Sequence, residues 1–234
     1  MRSVHITYET AENKWFEYEQ LWKVAGLELL EKHVPQTSEG GISVLDFGRG
    51  RGEFLNLLKD AGYSCEGADF DADCVRLGSQ YAPTHLLSEL DLETAIPGNS
   101  FDVVSSFHVL EYVLNPSLAV HNFKRISRRY LLLVVPNLQS TNYICLRRTY
   151  EVNEGHAHGW DYPTFRNFLT NICGLDVLEM APNVVPFTTK MYKLDTFLEK
   201  SLGRNVIRKW ETGYLKRKFP YLSNSIMALC KLRD

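Results

Sequence analysis

Three glycines at alternate positions, Gly48, Gly50 and Gly52, follow an apolar run ending in Asp46 and Phe47 and lead into the amphipathic stretch Glu53 to Ala61. Glycine keeps side chains off a tight turn, so backbone N–H groups and the N-terminus of the next helix can approach a ligand closely. Such a turn suits a nucleotide-like cofactor. A dinucleotide fingerprint needs G-x-G-x-x-G, and here Glu53 stands where its third glycine belongs, which disfavours a nicotinamide dinucleotide. The second element of such a site is an acid at the end of the next strand, about 20 residues on, to grip ribose hydroxyls. Asp69, in Cys65-Glu66-Gly67-Ala68-Asp69-Phe70, supplies it. Hydrogen bonds to this carboxylate are charge-assisted and about twice as strong as neutral ones.

Two further segments carry titratable groups. Phe107-His108-Val109-Leu110-Glu111-Tyr112 follows an apolar run and falls at the carboxyl edge of the expected sheet, where open α/β sheets bind ligands. His108 is the better candidate base there, ahead of Glu111, because an imidazole near neutral pKa can take a proton from a hydroxyl or ammonium group. His156-Ala157-His158-Gly159-Trp160-Asp161-Tyr162 precedes Pro163. His156 and His158 either contact a substrate or offer a second base. No third ligand of recognisable spacing accompanies them, so no metal site is expected. Trp160 and Tyr162 either wall a pocket or pack the loop.

These residues need a scaffold, and the hydrophobic pattern supplies one. Trp15, Tyr18, Leu21, Trp22, Ala25, Leu29 and Leu30 recur at helical spacing from Asn13 to His33, stopped by Pro35 and the stretch to Gly41. Ile42 to Phe47 reads as a strand buried on both faces. Helix and strand then alternate: Glu53 to Ala61, Ser64 to Asp69, a helix capped by Asp71 through Gln80, a short strand Thr84 to Leu87, and Phe101 to Ser106. Asn115-Pro116 opens a helix reaching about Arg128, Tyr130 to Val135 is the fifth strand, Pro163 to Cys173 a helix stopped by Gly174, and Leu175 to Met180 the sixth strand. Ser225 to Leu232 reads as the last. Repeated βα units imply a parallel sheet with helices on both faces. Between the last two strands, Ala181 to Asn224 is too long for a simple connection and carries helices near Leu194 to Leu202 and Val206 to Arg217.

Taken in order, these motifs resemble the class I S-adenosylmethionine (SAM) dependent methyltransferases, whose first motif reads acid-x-G-x-G-x-G and whose second strand ends in a ribose-binding acid. The likeness continues through Asp91-Leu92, Ser100-Phe101-Asp102-Val103-Val104, Phe107 to Tyr112 and Val135-Pro136-Asn137. It spans about Gly41 to Met180, resumes near Ser225, and is greatest to the small-molecule branch typified by ubiquinone- and methionine-biosynthesis methylases. The resemblance implies a Rossmann-like, doubly wound, seven-stranded sheet in a three-layer sandwich, mostly parallel, with the last strand inserted antiparallel between the fifth and sixth. With the elements read above, the chain divides into a helical cap over residues 1–40 and a SAM-binding domain over 41–234, its helical insertion at about 181–224 being a lid or a substrate-side insertion rather than an independent domain.

In this family the acid matching Asp46 organises the methionine ammonium end of SAM beside Gly48, Gly50 and Gly52, and Asp69 holds the ribose. Phe70 either covers one face of the adenine or packs in the core. Asp91 and the backbone of Leu92 read the adenine edge, and Phe107 lines the methionine moiety. The segment containing His156 and His158 matches the place where related methylases close over the acceptor. Tyr8, Trp15, Tyr18 and Trp22 either form an aromatic cover on the cleft or a core-facing stripe. The implied reaction moves a methyl group to an O or N atom of a small-molecule or glycan-type acceptor and releases S-adenosylhomocysteine. A SAM-binding regulatory or scaffolding subunit without turnover is the alternative, since fold does not settle activity.

Composition narrows the partners. The 234 residues include 44% hydrophobic positions and carry a formal net charge of −2, which favours one decorated domain and argues against a nucleic-acid scavenger. The Asn-Pro-Pro-Tyr type motif of base-modifying amino methylases is absent after the fourth strand. Five cysteines, Cys65, Cys74, Cys145, Cys173 and Cys230, form no C-x-x-C pair, as expected of reduced core thiols in the cytoplasm. Neither a leader nor a run long enough to span a membrane is expected. Lys190, Lys193, Arg204, Arg208, Lys209, Lys216, Arg217 and Lys218 make the insertion basic. That is either a solvated face or a recognition surface for phosphate, carboxylate or an anionic membrane, and in the former two cases the acceptor is itself anionic.

Overall fold

Neighbouring residues along the central strands enter two different apolar layers, as the two-residue period of a strand requires. Leu45, Val104, Leu131, Leu133 and Val135 pack into one layer, and Val44, Val103, Leu132 and Val134 into the other. The computed structural model describes residues 14–34, 41–48, 50–87, 93–141, 155–186 and 201–233, with the backbone alone for 14–19 and 204.

Seven strands, β1 (Ser43–Phe47), β2 (Ser64–Asp69), β3 (Thr84–Leu86), β4 (Phe101–Phe107), β5 (Ser127–Pro136), β6 (Leu175–Pro182) and β7 (Ser225–Leu232), form one sheet in the order β3-β2-β1-β4-β5-β7-β6. The first five run parallel, with Ser43 opposite Ser64 and Val44 opposite Val103. β7 lies antiparallel to both β5 and β6, Tyr130 facing Lys231 and Leu175 facing Leu232. Strand order reverses between β1 and β4, and such a switch point leaves a crevice at the carboxyl ends of the two strands.

The helices lie on both faces. α1 (Lys14–His33) and α2 (Glu53–Asp60) place Ala25, Leu29, Leu30, Phe54 and Leu58 on one side of the sheet. α4 (Pro116–Ile126), with Ala119, Val120, Phe123 and Ile126, and α5 (Tyr162–Asn167), with Phe165, cover the other. α3 (Ala72–Gly78) follows β2, its first turn capped by the Asp71 carboxylate, which accepts from the N–H groups of Asp73 and Cys74. Beyond β6, α6 (Arg204–Lys209) runs through a π-helical turn, Trp210–Tyr214, into α7 (Leu215–Lys218).

Some boundaries differ from the sequence expectation. α4 stops at Ile126 and β5 begins at Ser127, before Tyr130. Arg128 and Arg129 look like helix-terminal cations, yet the Arg128 guanidinium donates to the carbonyls of Asn99 and Ser100 ahead of β4, which draws the segment into the sheet. Pro163 to Cys173 is one helical rod in two geometries, α5 followed by a π-helical turn, Phe168–Ile172. The helix expected near Leu194 to Leu202 falls mostly outside the described residues.

Candidate cofactor and acceptor site

Gly48, Gly50 and Gly52 take φ values of +72°, +56° and +87°, the left-handed region where a side chain costs roughly 1–2 kcal/mol. Their surroundings differ. A Cβ at Gly48 would sit 2.0 Å from Val109 Cγ2, whereas at Gly50 it would meet nothing within 4 Å. Gly48 therefore lets the loop after β1 pack on the segment after β4 across the switch point. Gly50 leaves space for a ligand. Gly52 is the N-cap of α2 and brings no side chain to cap it, so the leading N–H groups of the helix suit an incoming anion or carboxylate. Glu53 opens α2 and binds Lys23 Nζ of α1 at 2.7 Å, tying the first helix to the loop.

Asp69 closes this cradle from β2. One carboxylate oxygen accepts from Gly50 N at 3.1 Å and the other from Asp71 N at 3.0 Å. Asp46, at the end of β1, is buried and accepts from Ser105 Oγ of β4 at 2.8 Å. Phe70 meets Phe47 edge to face at 5.2 Å and packs on the core while partly exposed. The Phe107 ring packs on Phe54 at 4.6 Å and comes so close to α1 that a Cβ on Gly26 would lie 2.7 Å from its tip. Its ring thus belongs to the helix layer and only its backbone borders the crevice. Asp91 and Leu92 lie outside the described residues, as do Tyr8 and the side chains of Trp15 and Tyr18.

His108 adopts φ +56°, a left-handed conformation uncommon outside glycine, though histidine enters it more readily than most residues. Its N–H donates to Val134 O at 2.8 Å, Nε2 meets Ser225 Oγ at 3.0 Å, Nδ1 lies 3.4 Å from Glu111 Oε1, and the ring stacks on Trp22 at 4.6 Å. Nε2 is hydrogen-bonded, whereas Nδ1 makes only the longer contact to the Glu111 carboxylate. Glu111 is fully buried, and among the described residues neither carboxylate oxygen receives a hydrogen bond. Its backbone carbonyl accepts from the N–H groups of Ala157 and His158, at 2.7 and 3.2 Å, pinning the histidine loop to the segment after β4.

This pinning brings His156 edge-on to Tyr112 at 4.7 Å and into the field of Glu111 and His108. Burial pulls the His156 pKa below the usual imidazole range, the Glu111 carboxylate opposing the shift and His108 adding to it. The His158 ring places Nε2 3.4 Å from Leu114 O and lies 6.3 Å from the Trp160 ring. Trp160 is buried against Phe165 and Phe168, and so packs the loop. Tyr162 is likewise interior: its hydroxyl bonds to Ser223 Oγ at 2.9 Å and burial pushes its pKa up to about 12. Asn137, fully buried at the end of β5, donates from Nδ2 to the carbonyls of Tyr221 and Ser223 at 2.8 and 2.7 Å.

The structure thus gathers Gly48, Gly50, Gly52, Asp46, Asp69 and the backbone of Phe107 on one sheet edge, with His108, Glu111 and His156 beside them. Two contributors were not legible beforehand. Asn137 reads as the last residue of a strand motif, and Ser225 lies 117 residues from the histidine it contacts. Trp22, one of the aromatics expected either to cover the cleft or to face the core, is buried and stacks on His108.

The chain matches the model of a methyltransferase domain over residues 17–181. No curated protein matches it. Among solved structures, it is similar to a SAM-dependent methyltransferase of Archaeoglobus fulgidus, with 20% identity, 94% of this chain and 100% of that one covered, and a TM-score of 0.60. It is similar to a possible histamine N-methyltransferase of Thermotoga maritima, with 13% identity, 94% and 93% coverage and a TM-score of 0.65. It is also similar to a putative methyltransferase of Haloferax volcanii solved with the Trm112 activator, with 18% identity, 93% and 97% coverage and a TM-score of 0.60. The matched span covers most of the sheet and the whole glycine cradle, and on that ground the chain belongs to the methyltransferase-domain family and carries the class I fold of SAM-dependent enzymes.

Proposed function

We propose that this chain moves a methyl group from SAM to an O or N atom of a small-molecule or glycan-type acceptor, leaving S-adenosylhomocysteine. The observation that carries this reading is the bare backbone at Gly50 and the uncapped start of α2, facing the carboxylate of Asp69. That arrangement fits a ligand with an amino-acid tail and a ribose. Backbone N–H groups suit the carboxylate of the tail, Asp46 its ammonium, and Asp69 the sugar hydroxyls. When bound, SAM supplies a methyl group made electrophilic by the positive sulfur.

The chain's remaining task is to hold an acceptor in line and keep water out. Alignment alone is worth about 7–11 kcal/mol in well-organised reactions, so a base is an addition rather than a requirement. In this reading His156 is the base. Among the described residues no hydrogen bond ties its ring nitrogens, and its lowered pKa keeps it neutral at ordinary pH. His108, held between Ser225 and Glu111 under Trp22, is a positioning residue that shapes the acceptor wall. Among the described residues, Cys65, Cys74, Cys173 and Cys230 form no disulfide, which fits a reducing, cytoplasmic setting. No helix among the described residues is long and apolar enough to cross a membrane.

Titration calorimetry with SAM and with S-adenosylhomocysteine, followed by transfer of labelled methyl across a panel of hydroxyl and amine acceptors, tests the proposal. Heat with both ligands and label on one acceptor class is expected. A folded protein that binds neither ligand would overturn it.

A further inference from the structure

α6, the π-helical turn and α7 expose a stripe that the sheet does not need. Val206, Trp210 and Tyr214 fall four residues apart along one face, and Trp210 and Tyr214 are 53% and 62% exposed. Phe219 and Tyr221, before and within the turn Pro220–Leu222 that follows, are exposed as well, Tyr221 at 63%. Ile207 and Glu211 point the other way and are buried.

Among the described residues of 204–218, the exposed charges have one sign. Lys209, Arg217 and Lys218 are exposed. The acid within residues 204–218, Glu211, is fully buried with Arg208 Nη1 3.4 Å from its carboxylate. Yet the chain as a whole carries a net charge of −2, so the positive charge is a local feature. Exposed tryptophan and tyrosine flanked by lysine and arginine are the side chains that settle at the boundary between lipid headgroups and acyl chains. An anionic surface adds attraction for each cation. Pairing with a second copy through this face would bring Lys209, Arg217 and Lys218 against their own equivalents around a twofold axis.

The stripe also adjoins the acceptor side of the site. Tyr221 meets Tyr162 edge to face at 5.3 Å, and its carbonyl accepts from Asn137. Ser223 and Asn224 then lead directly to Ser225, the residue bonded to His108.

We propose that α6, the π-helical turn, α7 and the turn at Pro220–Leu222 form a docking surface for an anionic phospholipid bilayer, which sets the acceptor side of the cleft against the membrane. The docking itself stands independently of the methyl-transfer reading. Flotation of the full chain with vesicles of phosphatidylcholine, and with vesicles containing phosphatidylglycerol, tests it. The protein rises with the anionic vesicles at low salt, is released at high salt, and stays behind with the neutral ones. Two variants, Trp210→Ser with Tyr214→Ser, and Lys209→Glu with Arg217→Glu and Lys218→Glu, each lose roughly tenfold or more of the binding. Their melting temperatures and heats of SAM binding match the parent's, because every altered side chain is exposed.

Absence of flotation with anionic vesicles at low salt would overturn the proposal, as would equal flotation of parent and variants. A concentration-dependent dimer in light scattering, abolished by the same substitutions without any vesicle binding, would assign the face to a second copy instead. Vesicle binding without SAM heat would remove the methyl-transfer reading and leave this one intact.

Discussion

At the scale of single residues, the glycines of the cradle have separable duties. Gly48→Ala combines left-handed strain with a Cβ forced into Val109, together about 2–5 kcal/mol of lost stability. Adding Val109→Ala relieves the second part alone. Gly50→Ala adds strain of roughly 1–2 kcal/mol but no clash, and its Cβ occupies the space left for the ligand. Denaturant unfolding and calorimetry in parallel should therefore show Gly48→Ala losing mainly stability. Gly50→Ala should lose mainly SAM affinity, by about tenfold or more. The reverse pattern would mean that the ligand approaches elsewhere. His156 allows a test by pH. Burial lowers its pKa, so the proton leaves at a pH below the ordinary value of ~6.5, and the acidic limb, where activity rises with pH, should lie there. Because Glu111 opposes that shift, Glu111→Gln should move the limb to still lower pH. Profiles of kcat/KM against pH decide it: a limb above the ordinary imidazole range, or one that moves upward in Glu111→Gln, would remove His156 as the base.

At the scale of elements, the positions of helices and strands followed from apolar periodicity, while their ends were set by contacts that no local pattern encodes. β2 and β7 run from Ser64 to Asp69 and from Ser225 to Leu232, the spans expected from residue pattern and flanking turns. β5 gains three residues at its start because carbonyls ahead of β4 claim Arg128. α1 shows the same division. Its helical spacing was plain in the sequence, but its closeness to β4 rests on Gly26, whose missing Cβ admits the Phe107 ring. In an isolated helix, Gly→Ala gains roughly 0.8–1.0 kcal/mol. Here the ring is wedged against Phe54, and overpacking costs about 1–3 kcal/mol, so Gly26→Ala should lower stability. Phe107→Leu should reverse the sign of the Gly26→Ala effect. Equilibrium unfolding of the four proteins in this cycle measures the coupling directly, and additive effects would show that α1 does not rest on the ring.

At the scale of the whole molecule, what was legible and what was not divide by sequence distance. The cradle joins residues of neighbouring elements, from Asp46 through Gly52 to Asp69, and such local units carry their geometry in glycine spacing and strand ends. The acceptor side joins Trp22 of α1, His108 and Glu111 after β4, His156 in a later loop and Ser225 of β7, and only the completed sheet brings them together. Placing β7 between β5 and β6 is what puts Ser225 beside His108. A ligand that binds across the switch point therefore contacts elements distributed over the chain, and its binding energy should appear as global stability. With ligand at 100 times its dissociation constant, mass action adds about 2.7 kcal/mol. For a chain of this size each kcal/mol raises the melting temperature by roughly 2–4 °C, so SAM or S-adenosylhomocysteine should raise it by about 5–11 °C. NAD should leave it unchanged, because Glu53 interrupts the dinucleotide fingerprint and opens α2 with a carboxylate near where the pyrophosphate would lie. Asp69→Ala should lose most of the shift with either SAM or S-adenosylhomocysteine, since both carry the same ribose. Thermal scans of parent and variant with the three ligands separate the outcomes: a shift with NAD equal to that with SAM would reassign the cradle to a dinucleotide, and a full SAM shift in Asp69→Ala would move the ribose away from β2.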